Sequence, residues 1–171
     1  MKLKDKETSR HARRAAHLAV RLAKEHGFSG LSLQQIYWGA LLHDIGKLTI
    51  PDEIINKPGK LTEGEWRLVR QHPKVGGDLV QGFDFLVPAA EITYHHHERW
   101  DGSGYPAGLA GDQIPIAAQI FSIVDVWDSL LSCRPYRPAW VKDDVMEYLA
   151  SESGRTFSGK VVDLFFSIVH A

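Results

Sequence analysis

His43 and Asp44 stand side by side at the end of an apolar run, Gly39-Ala40-Leu41-Leu42. A charged carboxylate placed after such a run is costly to bury unless it is paired or bound to a metal. Two adjacent ligands near a helix end can reach one ion, or the carboxylate can bridge two. The plainer reading is a capping Asp beside a chance His. His96-His97 is a second pair, and imidazole is a common ligand for zinc, iron, nickel and copper. Neighbouring side chains on a helix diverge by about 100°, which predicts that these two histidines serve different ions. A polar run on a solvated helix end is the alternative, and His95 is assigned to that. Asp125 lies within Ile120-Phe121-Ser122-Ile123-Val124-Asp125-Val126-Trp127, where a carboxylate needs a cationic partner. Asp128 is read as structural or as an acceptor that orients a ligand. His72 precedes Pro73 at a helix junction, as a cap or a ligand. Glu7 and His11 share one helix face at i, i+4 spacing, which lets two side chains meet at one ion.

The mixed nitrogen and oxygen donor set contains no cysteine, which argues against a structural zinc. Metals about 3.5–4 Å apart can share a water and lower its pKa, so hydroxide is available at neutral pH as a nucleophile. Composition is compatible with this. The 171 residues suit one domain, 1–171, with a real core. A net charge of -1 supplies no global basic field for duplex nucleic acid. Cys133 is the single cysteine, which fits a reducing cytoplasm. No apolar run approaches the roughly 20 residues of a membrane span, and the basic N-terminus lacks the apolar core of a signal peptide.

The elements that must position these groups are helices. Ala15, Leu18 and Leu22 form a stripe over residues 8–26, and i-4 steps back along it reach His11 and Glu7. Ser32 with Gln35, and Thr62 with Glu65, read as capping boxes that open two further helices. Residues 50–60, with Pro51, Pro58 and Gly59, read as irregular. Pro73 suits the first turn of a helix running to residue 81, and Pro88 opens one that runs to the histidine cluster. Residues 100–108 are too rich in glycine for regular structure, and loops of that kind are often functional. Helices over residues 116–132, 142–151 and 160–169 complete an all-α bundle of seven or eight helices, with no alternating strand pattern.

The motifs His43-Asp44-Ile45-Gly46-Lys47, Lys57-Pro58-Gly59-Lys60-Leu61-Thr62, His72-Pro73, His96-His97-Glu98-Arg99-Trp100-Asp101-Gly102-Ser103-Gly104-Tyr105-Pro106 and Arg134-Pro135-Tyr136 resemble the HD-GYP domain. This is a bacterial subgroup of the HD metal-dependent phosphohydrolases. The resemblance runs from Glu7 to about Phe165. It implies an HD-type helical fold and hydrolysis of cyclic di-GMP to a linear dinucleotide or on to GMP, with cyclic GMP-AMP as a related substrate. It implies metal ligands at His11, His43, Asp44, His72, His96, His97 and Asp125, with Asp44 bridging. Glu7 would add a third ion, so two or three divalent metals are expected, iron or manganese first. Lys47 would contact the scissile phosphate, and Tyr105, Arg134 and Arg137 would grip the nucleotide. Diguanylate cyclase (GGDEF) domains are implied as possible partners, and a sensory or receiver domain upstream if the chain is cut from a larger protein. Phe157-Ser158-Gly159 departs from the family's usual Phe-Asp-Pro.

Two other readings compete. A phosphohydrolase for another nucleotide would need only the His-Asp pair, but the Gly-Tyr-Pro loop and its arginines count against it. A non-catalytic receptor or interaction module would be expected to have lost ligands, and every ligand position here is filled.

Overall fold

A computed structural model describes residues 2–133 and 137–170, with side chains from residue 9 onward. Glu7 as a side chain, and Arg134, therefore lie outside the described residues. The first helix, α1, spans Lys2–His26 and begins earlier than the apolar stripe alone indicates. Its buried face is His11, Ala15, Ala16, Ala19, Leu22 and Ala23, while Leu18 sits at the rim. Four alanines on that face allow α1 to lie close against its neighbours, α2 (Leu31–Leu42) and the later α7 (Ile116–Leu131). The capping box expected at Ser32 does not form. Gly30 takes the N-cap with φ 56°, so the helix starts ahead of Ser32, whose hydroxyl turns back to the Ser29 carbonyl. Gly30 tolerates this φ because it has no Cβ.

The chain then tightens into a 3-10 turn, Ile45–Thr49, followed by the single turn α3 (Asp52–Ile55) inside the stretch expected to be irregular. Helix α4 (Glu63–Val69) carries the expected capping box: Thr62 accepts from the Glu65 amide, and the Glu65 carboxylate accepts from the Thr62 amide. His72 does not end this helix but opens α5 (His72–Gln81), with Pro73 in its first turn. Pro88 lies inside a 3-10 segment, Asp84–Ala89, and the short α6 (Ala90–His95) follows directly. After the glycine-rich loop come α7, α8 (Lys142–Ser151) and α9 (Gly159–Val169). Apart from the one-turn α3, eight α-helices make up the bundle among the described residues. No strand occurs there; isolated bridges join Asp101 to Ala110 and Ser153 to Phe157.

Helix α7 is the axis of the core. Ala118, Ile120, Phe121, Ile123 and Val124 are all fully enclosed, packed by α1, by Val145 and Leu149 of α8 and by Phe165 of α9. A helix buried nearly all round has to satisfy any carboxylate it carries from within the protein. Asp125 and Asp128 are on that helix. A smaller apolar cluster of Val80, Leu86, Ala89 and Ala90 sets α5 and α6 together.

Candidate metal centre

Five elements converge on one spot. α1 brings His11, and the end of α2 brings His43 and Asp44. The start of α5 brings His72, the end of α6 brings His96 and His97, and α7 brings Asp125. Two groups result, each with donor atoms within 4.8 Å of one another: Asp44, His72, His96 and His97 in one, His11, His43 and Asp125 in the other.

Asp44 joins them. Its Oδ2 lies 3.3 Å from His43 Nε2, while its Oδ1 lies 3.3 Å from His72 Nε2 and 3.8 Å from His96 Nε2. Asp125 Oδ1 closes the second group at 3.0 Å from His11 Nε2 and 3.9 Å from His43 Nε2. The separation of His96 and His97 between two ions, expected from helical geometry, is not what the fold provides. Helix α6 ends at His95, His96 caps it, and the chain turns so that both imidazoles face the same group, ring centroids 4.1 Å apart.

Protonation at the histidines is fixed from outside. His43, His72 and His96 each place Nδ1 on a backbone carbonyl, at Ala40 (2.8 Å), Val69 (2.7 Å) and Thr93 (3.0 Å). A carbonyl only accepts, so Nδ1 carries the proton and Nε2 points inward as a lone pair. Two such lone pairs, those of His72 and His96, face each other at 3.3 Å. Beside them Asp44 Oδ1 is buried without a hydrogen-bond partner. Lone pairs on nitrogen converging on an orphaned carboxylate oxygen repel one another unless a cation sits among them. The residues thus fit a divalent metal.

His11 is held differently. Its Nδ1 meets Asp128 Oδ2 at 2.6 Å, and Arg14 in turn holds Asp128 through Nε at 2.8 Å. Of the two roles open to Asp128 in the sequence, the orienting one matches this geometry. Burial disfavours a charged His11, yet its hydrogen bonds to Asp125 and Asp128, with their charges, outweigh it and raise its pKa to about 9. At His97 burial and the neighbouring His72 and Lys47 act together and lower the pKa to about 3. Burial works against an ionised Asp44 too, but the groups around it, the Lys47 ammonium at 2.7 Å among them, hold it well below the usual carboxylate range.

The remaining sequence candidates separate. Lys47 reaches Asp44 Oδ2 at 2.7 Å from the rim of the cluster. Tyr105 stacks on His97, with centroids 4.8 Å apart and planes at 29°. Arg137 spends its fork on the carbonyls of Ser129 (2.9 Å) and Leu130 (3.3 Å) at the end of α7, against Trp140. A cation there complements the carbonyl end of a helix.

The loop that carries Tyr105 is organised by a residue that sequence reasoning placed only in a motif. Glu98 is buried, and its carboxylate accepts from the amides of Ala107 (2.7 Å) and Leu109 (3.1 Å). Gly104 folds back on residues 97–99: a Cβ there would lie 2.4 Å from the Arg99 amide nitrogen and 2.6 Å from the His97 carbonyl. The Tyr105–Pro106 bond is cis. Arg70 was also not singled out. Its guanidinium carbon lies 5.6 Å from the Tyr105 ring centroid. No spacing signal marks a lone exposed arginine, so only the fold reveals it.

A helical bundle whose buried histidines and aspartates converge on adjoining cation sites is the architecture of a metal-dependent hydrolase domain. The HD domain family matches residues 1–161, and the chain belongs to that family, with the HD-GYP motifs in order along it. It is 44% identical over 162 residues to the cyclic di-GMP phosphodiesterase response regulator RpfG of Xanthomonas campestris pv. campestris, covering 94% of this chain and 43% of that protein. It is 40% identical to a cyclic di-GMP phosphodiesterase of Thermotoga maritima, covering 96% of this chain and 45% of the relative. A 3'3'-cGAMP-specific phosphodiesterase of Vibrio cholerae is 39% identical, over 94% of this chain and 31% of its own length. The chain thus spans less than half of each of these relatives. Among solved structures, an HDG"Y"P protein from Bdellovibrio bacteriovorus superposes with a TM-score of 0.76 at 23% identity, covering 96% of this chain and 53% of the other. No helix among the described residues is long and apolar enough to cross a membrane.

Proposed function

We propose that this chain is a cytoplasmic catalytic domain that hydrolyses cyclic di-GMP with the help of two divalent metals. The observation that carries the reading is the division of Asp44: one oxygen faces His43, the other faces His72 and His96. His72, His96, His97 and Asp44 would hold one ion, and His11, His43, Asp125 and Asp44 the other, with iron or manganese suited to this donor set. When bound, such a pair lowers the pKa of water and draws charge from phosphate oxygens. Glu7 is the candidate for a third ion.

The chain's own residues do the rest. Lys47 brings an ammonium to the rim of the cluster, where negative charge grows on a phosphate under attack. Tyr105, flat on His97, forms one wall beside the metal group. Asp128 and Arg14 keep His11 turned toward Asp125. The cyclic di-GMP phosphodiesterase names of the 44% and 40% identical relatives support the substrate class. The cGAMP-specific relative makes cyclic GMP-AMP the competing substrate.

The test is turnover by protein purified without oxygen and loaded with iron or manganese. Cyclic di-GMP, cyclic GMP-AMP and a nucleoside triphosphate are compared, and products identified on the same sample. Cyclic di-GMP should be cleaved fastest, to the linear dinucleotide or GMP. Binding of cyclic di-GMP without cleavage would make the domain a receptor instead.

A further inference from the structure

Arg70 and the two aromatic rings around it form a feature the proposed chemistry does not use. Arg70 caps α4, and its guanidinium carbon lies 5.8 Å from the Trp66 ring centroid, one helical turn back. On its other contact it lies 5.6 Å from the Tyr105 ring centroid. Tyr105 is itself stacked on His97, and His97 belongs to the four-residue cation group. The order is therefore Trp66, Arg70, Tyr105, His97 and the metal centre. Trp66 and Tyr105 come from parts of the chain 39 residues apart. Among the described residues Arg70 has no carboxylate or carbonyl partner, and its side chain is exposed. Ring faces satisfy the faces of a guanidinium but leave its N–H edges unspent. Of the two arginines expected at the substrate, Arg134 lies outside the described residues, and Arg137 donates through Nη1 and Nη2 to carbonyls at the end of α7.

We propose that Arg70 is a substrate-binding residue whose guanidinium edge takes the second, non-reacting phosphate of the cyclic dinucleotide. This rests on the phosphodiesterase reading above. A cyclic dinucleotide has two phosphates, and only one can undergo cleavage at a time. The other remains anionic a few ångströms away and needs a donor that no metal supplies. A guanidinium fork suits two phosphate oxygens, and the aromatic clamp holds it ready so that little side-chain freedom is lost on binding. It also explains why Tyr105 sits between Arg70 and His97: the ring sets the distance from the cation to the reacting centre.

The experiment is steady-state kinetics of metal-loaded wild type, Arg70→Ala and Arg70→Lys on cyclic di-GMP, with bis(p-nitrophenyl) phosphate as a substrate of one phosphate only. Arg70→Ala should raise KM for cyclic di-GMP about tenfold with kcat within about twofold. Arg70→Lys should recover part of that loss, because charge is kept while the fork is not. Inhibition by cyclic di-AMP, which has the same phosphates and different bases, should weaken by the same factor. Unchanged KM in Arg70→Ala, or an equal loss on bis(p-nitrophenyl) phosphate, overturns the assignment. So does a loss on cyclic di-GMP that leaves cyclic di-AMP inhibition untouched, which would place guanine at Arg70. A wild type that neither binds nor cleaves cyclic di-GMP overturns this proposal and the phosphodiesterase reading together, whereas wild-type turnover with an indifferent Arg70 overturns this one alone.

Discussion

Asp44 is one side chain serving two groups of histidines, so its removal should act on both. Asp44→Ala is expected to lose activity and at least one equivalent of metal while circular dichroism stays helical. Retained turnover would show that the bridging role is wrong. Asp128 acts at one remove. Asp128→Ala leaves His11 Nδ1 without its carboxylate at 2.6 Å, and metal affinity should fall about 10- to 100-fold, read by chelator competition. Affinity equal to wild type would leave Asp128 with a structural part only. The clustering candidates were legible from residue type, because His43, Asp44 and Asp125 sit on apolar surroundings that tolerate no unpaired charge. Their partners were not. His11 and Asp128 are 117 positions apart, and nothing local in either segment announces the other. Arg70 had even less to give it away, since its surroundings are built by a distant loop.

At the scale of elements, the Gly-Tyr-Pro loop is held from inside by Glu98. Glu98→Ala removes the acceptor for the Ala107 and Leu109 amides, so the loop should loosen and carry Tyr105 off His97. The expected signature is a KM for cyclic di-GMP raised severalfold with metal content unchanged. Metal loss of the same size would mean that the loop supports the ligands instead. Thr62 and Glu65 form the box their spacing predicts, whereas Ser32 and Gln35 do not, because Gly30 starts α2 first. The divergence expected of His96 and His97 presumes a continuing helix, and α6 stops at His95. Both failures fall at an element's end, one at the start of α2 and one at the close of α6.

Across the whole molecule, the metal centre and the apolar core share α7. Phe121 packs its ring 4.8 Å from that of His43, and Phe165 packs 5.3 Å from Trp127 on the same helix. Phe165→Ala, fully buried and away from the donors, should cost about 3–5 kcal/mol of stability. Denaturant unfolding would register it, and a loss under 1 kcal/mol would mean that the core closes over the gap. Stripping metal should lower the melting temperature, and re-addition should restore it, because an ion bound only by the folded state stabilises that state by mass action. No change on chelation would mean that the donors hold no ion. The all-α class and the helix order were legible from periodicity. That α1 and α7 meet through His11 was not, since long-range pairing leaves no trace in a local window.

Gly46 gives this architecture a history as well as a shape. A Cβ there would lie 2.0 Å from the His72 carbonyl oxygen and 2.7 Å from the Gly76 amide nitrogen, so the turn after Asp44 and the helix that begins with His72 touch backbone to backbone. No other amino acid fits without parting them. A lineage can exchange a ligand, lose activity and keep the fold, but it cannot change Gly46 in one step without separating the two ligands on either side. Descendants that abandon the chemistry are therefore expected to lose histidines and aspartates long before they lose this glycine, leaving it as the most durable relic of the ancestral site.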